Sequence, residues 1–88
     1  MYDAMIGVDL AKRVFHLRVA SMTGHLKERK KLTPLQFRRY MADSPKFVVV
    51  FEACGSAHYR AREMTALGHE ARIIPAQFGK PFVKRHKN

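Results

Sequence analysis

The feature that most constrains the fold is an uninterrupted apolar run, FVVVF at residues 47–51, near the middle of the 88-residue chain. Its shortness and its β-branched valines predict a strand. A strand that is apolar at every position is typical of a parallel sheet, in which both faces are covered. Parallel neighbours are joined by crossover connections, usually helical. The run therefore predicts an α/β fold.

Helices are predicted on both sides of this run. The first begins at Thr33, a capping residue followed by a proline that suits the first helical position, and ends near Asp43. The second begins after Ser56, which can cap it, and ends at Gly68; a short strand at residues 71–74 follows. The apolar stripes of the two helices contain Leu35, Phe37, Tyr40 and Met41, and Ala57, Ala61, Met64 and Leu67.

Three strands precede the first helix, at residues 5–10, 13–20 and 25–32. Short turns join them into an antiparallel meander, and the many charges of the third strand suit an exposed sheet edge. The complete order is β-β-β-α-β-α-β, in which the meander is followed by crossovers. The prediction is therefore an α/β protein with a mixed sheet of RNase H-like architecture.

Length and composition limit the protein to one small soluble domain. Hydrophobic residues make up 47% and charged residues 27%, as in globular proteins. The sequence contains no apolar run that could span a bilayer and no signal peptide, so we expect a cytoplasmic protein. We assign residues 1–75 to the core and residues 76–88 to a basic tail. The single cysteine, Cys54, is expected to be a free, buried thiol.

The formal net charge of +10 is concentrated in two blocks and favours a polyanionic partner, nucleic acid above all. Residues 25–40 carry six basic groups and one acidic group, and residues 76–88 carry four basic groups and no acid. The alternative is that these side chains only keep the domain soluble. The predicted nucleic-acid-binding residues are Lys27, Arg29, Lys30, Lys31, Lys80, Lys84, Arg85 and Lys87.

Two acids, Asp9 and Glu52, occupy strand positions where an apolar residue is expected. Burying an unpaired carboxylate is costly, so a partner should compensate each of them. If the first and fourth strands are neighbours, the two acids converge at one end of the sheet, where oxygen ligands could hold Mg²⁺. Alternatively, Asp9 caps a turn and Glu52 pairs with Arg60 or Arg62 without a metal.

Four strings along the chain carry a family likeness. They are IGVDLAK (residues 6–12), FEACGSAHY (51–59), LGH (67–69) and KPFVK (80–84). The chain resembles the N-terminal domain of the DEDD-type insertion-sequence transposases, a group that includes Piv-like invertases and bridge-RNA-guided recombinases. The resemblance implies a RuvC-like domain in which four acids bind Mg²⁺ for DNA strand cleavage and exchange. It makes Asp9 the first catalytic, metal-binding acid and Glu52 the second.

The chain departs from that family in having no acid after Glu70, whereas the family's last two aspartates follow shortly after the KPFVK string. The long helical segment and the C-terminal domain with its serine nucleophile are also absent. We therefore expect a fragment, truncated at its C-terminal side, with weak or absent Mg²⁺ binding and no hydrolysis on its own. Its expected partners are DNA, a structured guide RNA or a second copy of the chain. No association with a membrane is expected.

Two other functional classes compete with this interpretation. Sugar-kinase and actin ATPases open with a similar Gly-x-Asp-Leu string, but they need glycine and hydroxyl residues next, where this chain has Ala11, Lys12 and Arg13. ATP binding is therefore disfavoured. The second rival is a nucleic-acid-binding module without catalysis, in which the basic residues grip the phosphate backbone and the acids are structural.

Overall fold

The computed structural model describes Tyr2 and residues 4–75 of the chain. In chain order its elements are β1 (Ala4–Leu10), β2 (Phe15–Ala20), β3 (Leu26–Leu32), α1 (Pro34–Asp43), β4 (Phe47–Glu52), α2 (Ala57–Ala66) and β5 (Glu70–Ile74). The predicted order of strands and helices in an α/β fold is confirmed. The basic tail assigned to residues 76–88 lies outside the described residues.

The five strands form one mixed sheet in the order β3-β2-β1-β4-β5. β2 pairs antiparallel with β1 and with β3, whereas β4 pairs parallel with β1 and with β5. The β2–β3 turn is tight: the amide of Gly24, which has a φ of 97°, donates a hydrogen bond of 2.9 Å to the carbonyl of Ser21. Glycine adopts this left-handed conformation readily. α1 and α2 supply the crossovers that the parallel pairs require.

Both helices pack against one face of the sheet, because alternate residues of the strands are apolar on that side. Within this core the rings of Phe15 and Phe37 are in contact, with centroids 5.3 Å apart in an edge-to-face arrangement. The buried core residues from the sheet are Ala4, Ile6, Val8, Phe15, Leu17, Val19, Phe47, Val49 and Phe51, and those from the helices are Phe37, Met41, Ala57 and Met64.

The ends of the helices follow local chemistry, with one exception. At the start of α1, Oγ1 of Thr33 accepts from the amide of Gln36, and Oε1 of Gln36 accepts from the amide of Thr33, which makes a capping box. Ser56 is the N-cap of α2, as predicted, but its side chain makes no capping hydrogen bond. After α2, Gly68 adopts a φ of 96° and ends the helix.

His69 is the one buried polar side chain in the part of the chain that the structure describes. Its Nδ1 accepts a hydrogen bond of 3.0 Å from the amide of Phe47, and its Nε2 lies 2.8 Å from the carbonyl of Met41. Because a carbonyl only accepts, Nε2 carries the proton and the ring is the neutral tautomer. The imidazole thus joins the end of α1, the start of β4 and the chain entering β5.

The second face of the sheet carries no helix among residues 4–75. β4 was expected to be buried on both faces, but on this face its burial decreases toward its carboxyl end. Val48 is buried there, but Val50 is half-buried and Glu52 is exposed. Full coverage of both faces was therefore a wrong prediction for the carboxyl end of β4. Cys54, in the loop that follows, is exposed rather than buried. Neither described helix has the length and apolar character needed to cross a membrane.

Candidate functional site

Asp9 and Glu52 lie side by side at the carboxyl ends of two neighbouring parallel strands. The register of β1 and β4 aligns Val8 with Phe51, and each acid is the next residue of its strand. Both acids line the same concave surface on the open face of the sheet, a concavity of about 890 Å³. The structure therefore brings together the two residues that the sequence predicted as metal ligands.

The surroundings of these acids differ from the expectation that they would be buried. Both residues are exposed, so the argument that burial requires a compensating partner was wrong. The alternative pairing of Glu52 with Arg60 is also not formed, because Nη1 of Arg60 lies 2.9 Å from Oε1 of Glu63, one turn further along α2. Within residues 4–75, neither Asp9 nor Glu52 makes a side-chain hydrogen bond or a salt bridge.

Two neighbouring carboxylates on an open surface fit one particular kind of cation site. Mg²⁺ is commonly held by one or two carboxylates, with water and substrate phosphate completing its octahedron. Among the described residues no group of three or more His, Cys, Asp or Glu could hold a metal ion. Asp9 and Glu52 therefore fit half of a site that depends on further oxygen ligands, and they do not form an all-protein cage.

The basic residues predicted on β3 are divided between the two faces of the sheet. Arg29 aligns with Arg18 and Lys31 with His16, and these side chains share the open face with Asp9. The predicted tail residues Lys80, Lys84, Arg85 and Lys87 lie outside the described part of the chain.

Lys30 aligns with Leu17, which faces the core, and its ammonium is turned toward the helices although the residue borders the concavity. Its Nζ lies 3.5 Å from Oε2 of Glu28 and 5.2 Å from the ring centroid of Tyr40. Burial, and then the Glu28 carboxylate, raise the pKa of Tyr40 above its ordinary value. Lys27 lies where the register shifts, between the positions aligned with Val19 and Ala20.

Two residues of the open face, His16 and Arg18, were missed from the sequence as candidate binding residues. His16 aligns with Asp9 and Arg18 with Gly7, and both line the concavity. A signal for them was present, because Phe15, Leu17 and Val19 form the apolar half of an alternating strand and leave the intervening residues on the opposite face. Arg72 of β5 aligns with Val50, but its Nε donates to Glu70 at 2.6 Å.

The known proteins to which the chain is similar are named as transposases. No family model matches the chain. The chain is 38% identical over 84 residues to the transposase for insertion sequence element IS1328 of Yersinia enterocolitica. It is 46% identical over 83 residues to a probable family 20 transposase of Pseudomonas aeruginosa, and 33% identical over 84 residues to the transposase for insertion sequence element IS1111A of Coxiella burnetii.

The similarity extends over 94% to 96% of this chain but only 23% to 25% of those three proteins. The chain therefore spans about a quarter of the length of the curated relatives it matches.

Proposed function

We propose that this chain is the N-terminal part of an insertion-sequence transposase and that it contributes Asp9 and Glu52 to a Mg²⁺ site for DNA strand cleavage. One observation carries the proposal: in a chain similar to transposases over nearly its whole length, two exposed acids on neighbouring parallel strands line one concavity. Cleavage would need further acids from the rest of a longer protein, so the 88 residues alone would be inactive.

The sheet supports an RNase H-like, RuvC-like assignment of the domain. β1 lies in the centre of the strand order, flanked by the meander strand β2 on one side and by the parallel strand β4 on the other. This arrangement matches the β-β-β-α-β-α-β architecture expected from the sequence. It also presents the ends of β1 and β4 to a common edge, which is where that architecture would hold its first two acids.

The chemistry of the proposed site follows from its donor set. Carboxylate oxygens are hard ligands, and a divalent ion held by them polarises a phosphodiester and stabilises charge on the attacking and leaving oxygens. Asp9 and Glu52 would supply two such oxygen donors from a rigid sheet. The nearby cations Arg18, Arg29 and Lys31 would favour a bound phosphate and oppose a bare metal ion. Metal and DNA are thus expected to bind cooperatively.

Paramagnetic broadening by Mn²⁺ in amide NMR spectra tests the metal site in the 88-residue chain itself. We expect titration into the low-millimolar range to broaden the amides around Asp9 and Glu52 first. The double variant Asp9→Asn/Glu52→Gln should abolish this local broadening, whereas the control Glu63→Gln, on the helix side, should not. Broadening that starts elsewhere, or that survives in the double variant, would refute the proposed ligands.

A second candidate function is nucleic-acid binding without catalysis, and the charge of the open face favours it. The cations Arg18, Arg29 and Lys31 outnumber the two acids among the residues that line the concavity. The distinguishing test is DNA cleavage by a full-length protein that begins with this chain. If Asp9→Asn or Glu52→Gln lowers Mg²⁺-dependent cleavage at least 100-fold while DNA affinity is retained, the transposase proposal holds. Unchanged cleavage in these variants would refute the catalytic role of the two acids and favour nucleic-acid binding without catalysis.

A further inference from the structure

We infer that Arg18 and Arg29 together form a phosphate clamp that holds the backbone of a DNA strand on the open face, beside Asp9 and Glu52. The role of the clamp in strand cleavage rests on the proposed function, although its ability to bind phosphate does not. Arg18 is the new element of this assignment, because neither the basic blocks of the sequence nor the family likeness pointed to it.

The first argument is the position of the two guanidinium groups. Arg18 of β2 and Arg29 of β3 are direct partners in the antiparallel register. Like charges placed directly opposite each other across two strands destabilise a sheet. In the next pair on the same face, Lys31 lies opposite His16 and adds a third cation to this part of the sheet. The facing arginines are therefore unfavourable for the fold unless an anion lies over them.

The second argument is that acids balance several other cations but not this pair. Arg60 lies 2.9 Å and Arg38 3.6 Å from carboxylate oxygens of Glu63, and Lys30 lies 3.5 Å from Glu28. Within residues 4–75, no salt bridge involves Arg18, Arg29, Lys31 or His16. The positive charge of the open face is therefore left for an external anion.

The third argument is the glycine beside the pair. Gly7 aligns with Arg18 on one side and Val50 on the other, and a Cβ built on it would meet nothing within 4 Å. Its φ is not in the left-handed region, since only Gly24 and Gly68 of the described glycines have positive φ. Neither packing nor backbone conformation requires glycine here. A glycine inside a strand often marks a site where a ligand approaches the backbone closely.

The fourth argument is the position of the clamp relative to the acids. Gly7 and Asp9 are two residues apart on β1, which is about 7 Å along a strand. A phosphate held by the two guanidinium groups would therefore lie about two residues along the strand from the position of Asp9. Arginine binds phosphate through two parallel hydrogen bonds, so such a pair fixes the orientation of the strand as well as its position. The clamp would thereby position a neighbouring phosphodiester near Asp9 and Glu52.

Fluorescence anisotropy with a labelled single-stranded DNA oligonucleotide, measured in EDTA, tests the clamp. We expect Arg18→Gln/Arg29→Gln to weaken binding at least 10-fold. The slope of log K against log salt should fall by about 1.4, since each lost phosphate contact on a single strand removes about 0.7. The matched control is Arg38→Gln/Arg39→Gln, which removes the same charge from exposed positions on α1. It should change affinity less than about 3-fold. Equal losses in both double variants would overturn the clamp.

Thermal unfolding separates the clamp from a structural role. Removing two like charges that face each other should raise the Tm of Arg18→Gln/Arg29→Gln by a few degrees while DNA binding falls. A lower Tm would mean that the arginines stabilise the fold, and it would overturn the argument from repulsion. The charge-preserving variant Arg18→Lys/Arg29→Lys should recover part of the affinity, because lysine keeps the charge but not the fork.

Omitting divalent metal distinguishes failure of the clamp from failure of the proposed function. In EDTA, Asp9→Asn/Glu52→Gln should raise DNA affinity several-fold, because two negative charges beside the bound phosphate are removed. If the clamp variants bind normally while Mn²⁺ still broadens the amides near Asp9, the clamp is wrong and the metal site stands. If instead the clamp variants lose DNA affinity and Mn²⁺ does not broaden the amides near Asp9, the clamp holds and the metal site is refuted. Tighter binding of an RNA oligonucleotide of the same sequence would overturn DNA as the ligand.

Discussion

The backbone amide of Phe47 donates a hydrogen bond of 3.0 Å to Nδ1 of His69, a residue 22 positions further along the chain. The bond is buried, and the two rings also stack, with centroids 6.0 Å apart and planes 11° from parallel. The start of β4, the strand that carries Glu52, is therefore fixed by a side chain that lies between Gly68 and β5. This contact anchors the amino end of the strand whose carboxyl end carries Glu52.

Replacing His69 with Phe should destabilise the protein by about 3 kcal/mol. Phenylalanine keeps the aromatic contact with Phe47 but leaves the amide of Phe47 and the carbonyl of Met41 buried without partners, at about 1–3 kcal/mol each. Urea denaturation followed by circular dichroism measures the loss. His69→Asn, which keeps an acceptor near the position of Nδ1, should lose less. Equal stability of the wild type and the Phe variant would contradict the role given to these bonds.

Truncating Phe37 should cost more, because its ring is fully buried and packs edge-to-face on Phe15. We expect Phe37→Ala to lose about 3–5 kcal/mol, out of roughly 4–13 kcal/mol for a chain of this length. The variant should be partly unfolded at 37 °C, which a thermal melt will show. Leu35→Ala is the control on the same helix, since Leu35 is 59% exposed, and its Tm should change little. Similar losses in the two variants would refute the assignment of the helix face.

The capping box at the start of α1 gives a prediction about coupling. Thr33→Ala should lose about 1 kcal/mol, because the amide of Gln36 loses its acceptor. Gln36→Ala should lose less, because the amide of Thr33 can be solvated. A double-mutant cycle of the two should give a coupling energy of about 0.5 kcal/mol, since the two hydrogen bonds position each other. Strict additivity would mean that the bonds form independently.

The order of strands and helices along the chain could be predicted from sequence because it follows from local periodicity, whereas the adjacency of the two acids was predicted only on the condition that the first and fourth strands are neighbours. Alternation identifies the meander, the apolar run identifies a parallel strand, and a parallel neighbour brings Asp9 and Glu52 to one edge. The exposure of the acids could not be predicted, since it depends on what covers the second face. The division of the basic residues on β3 also could not be predicted. A register shift opposite Val19 and Ala20 decides which side chains share the face of Asp9.

The partners of individual polar side chains could not be predicted from the sequence either. His69 was indistinguishable from a solvated histidine, because its partners lie 22 and 28 positions away. Arg60 was considered as a partner of Glu52, but Glu63 lies one helical turn away on the same helix and forms the pair instead. The Arg60–Glu63 pair forms because the helix itself places residues three positions apart side by side.

Gly7 gives a prediction in which stability and binding change in opposite directions. A Cβ added at this position has no atom of the described fold within 4 Å, and valine favours the extended backbone and reduces the freedom of the unfolded chain. Gly7→Val should therefore raise the free energy of unfolding by up to about 1 kcal/mol. Its branched side chain would nevertheless fill the space beside Arg18 into which we expect a phosphate to enter. DNA affinity should fall about 10-fold or more, with Gly7→Ala intermediate.

The control for Gly7→Val is Ala20→Val, which adds the same branched side chain to a neighbouring strand. Ala20 aligns with Met5, two residues from Gly7, and does not line the concavity. It should leave DNA affinity within about 2-fold, because it does not narrow the path of the bound strand. The measurement pairs urea denaturation with anisotropy in EDTA on the same samples. If Gly7→Val binds DNA as well as the wild type, the space beside Arg18 is not where the phosphate lies, since a branched side chain and a bound anion cannot share it.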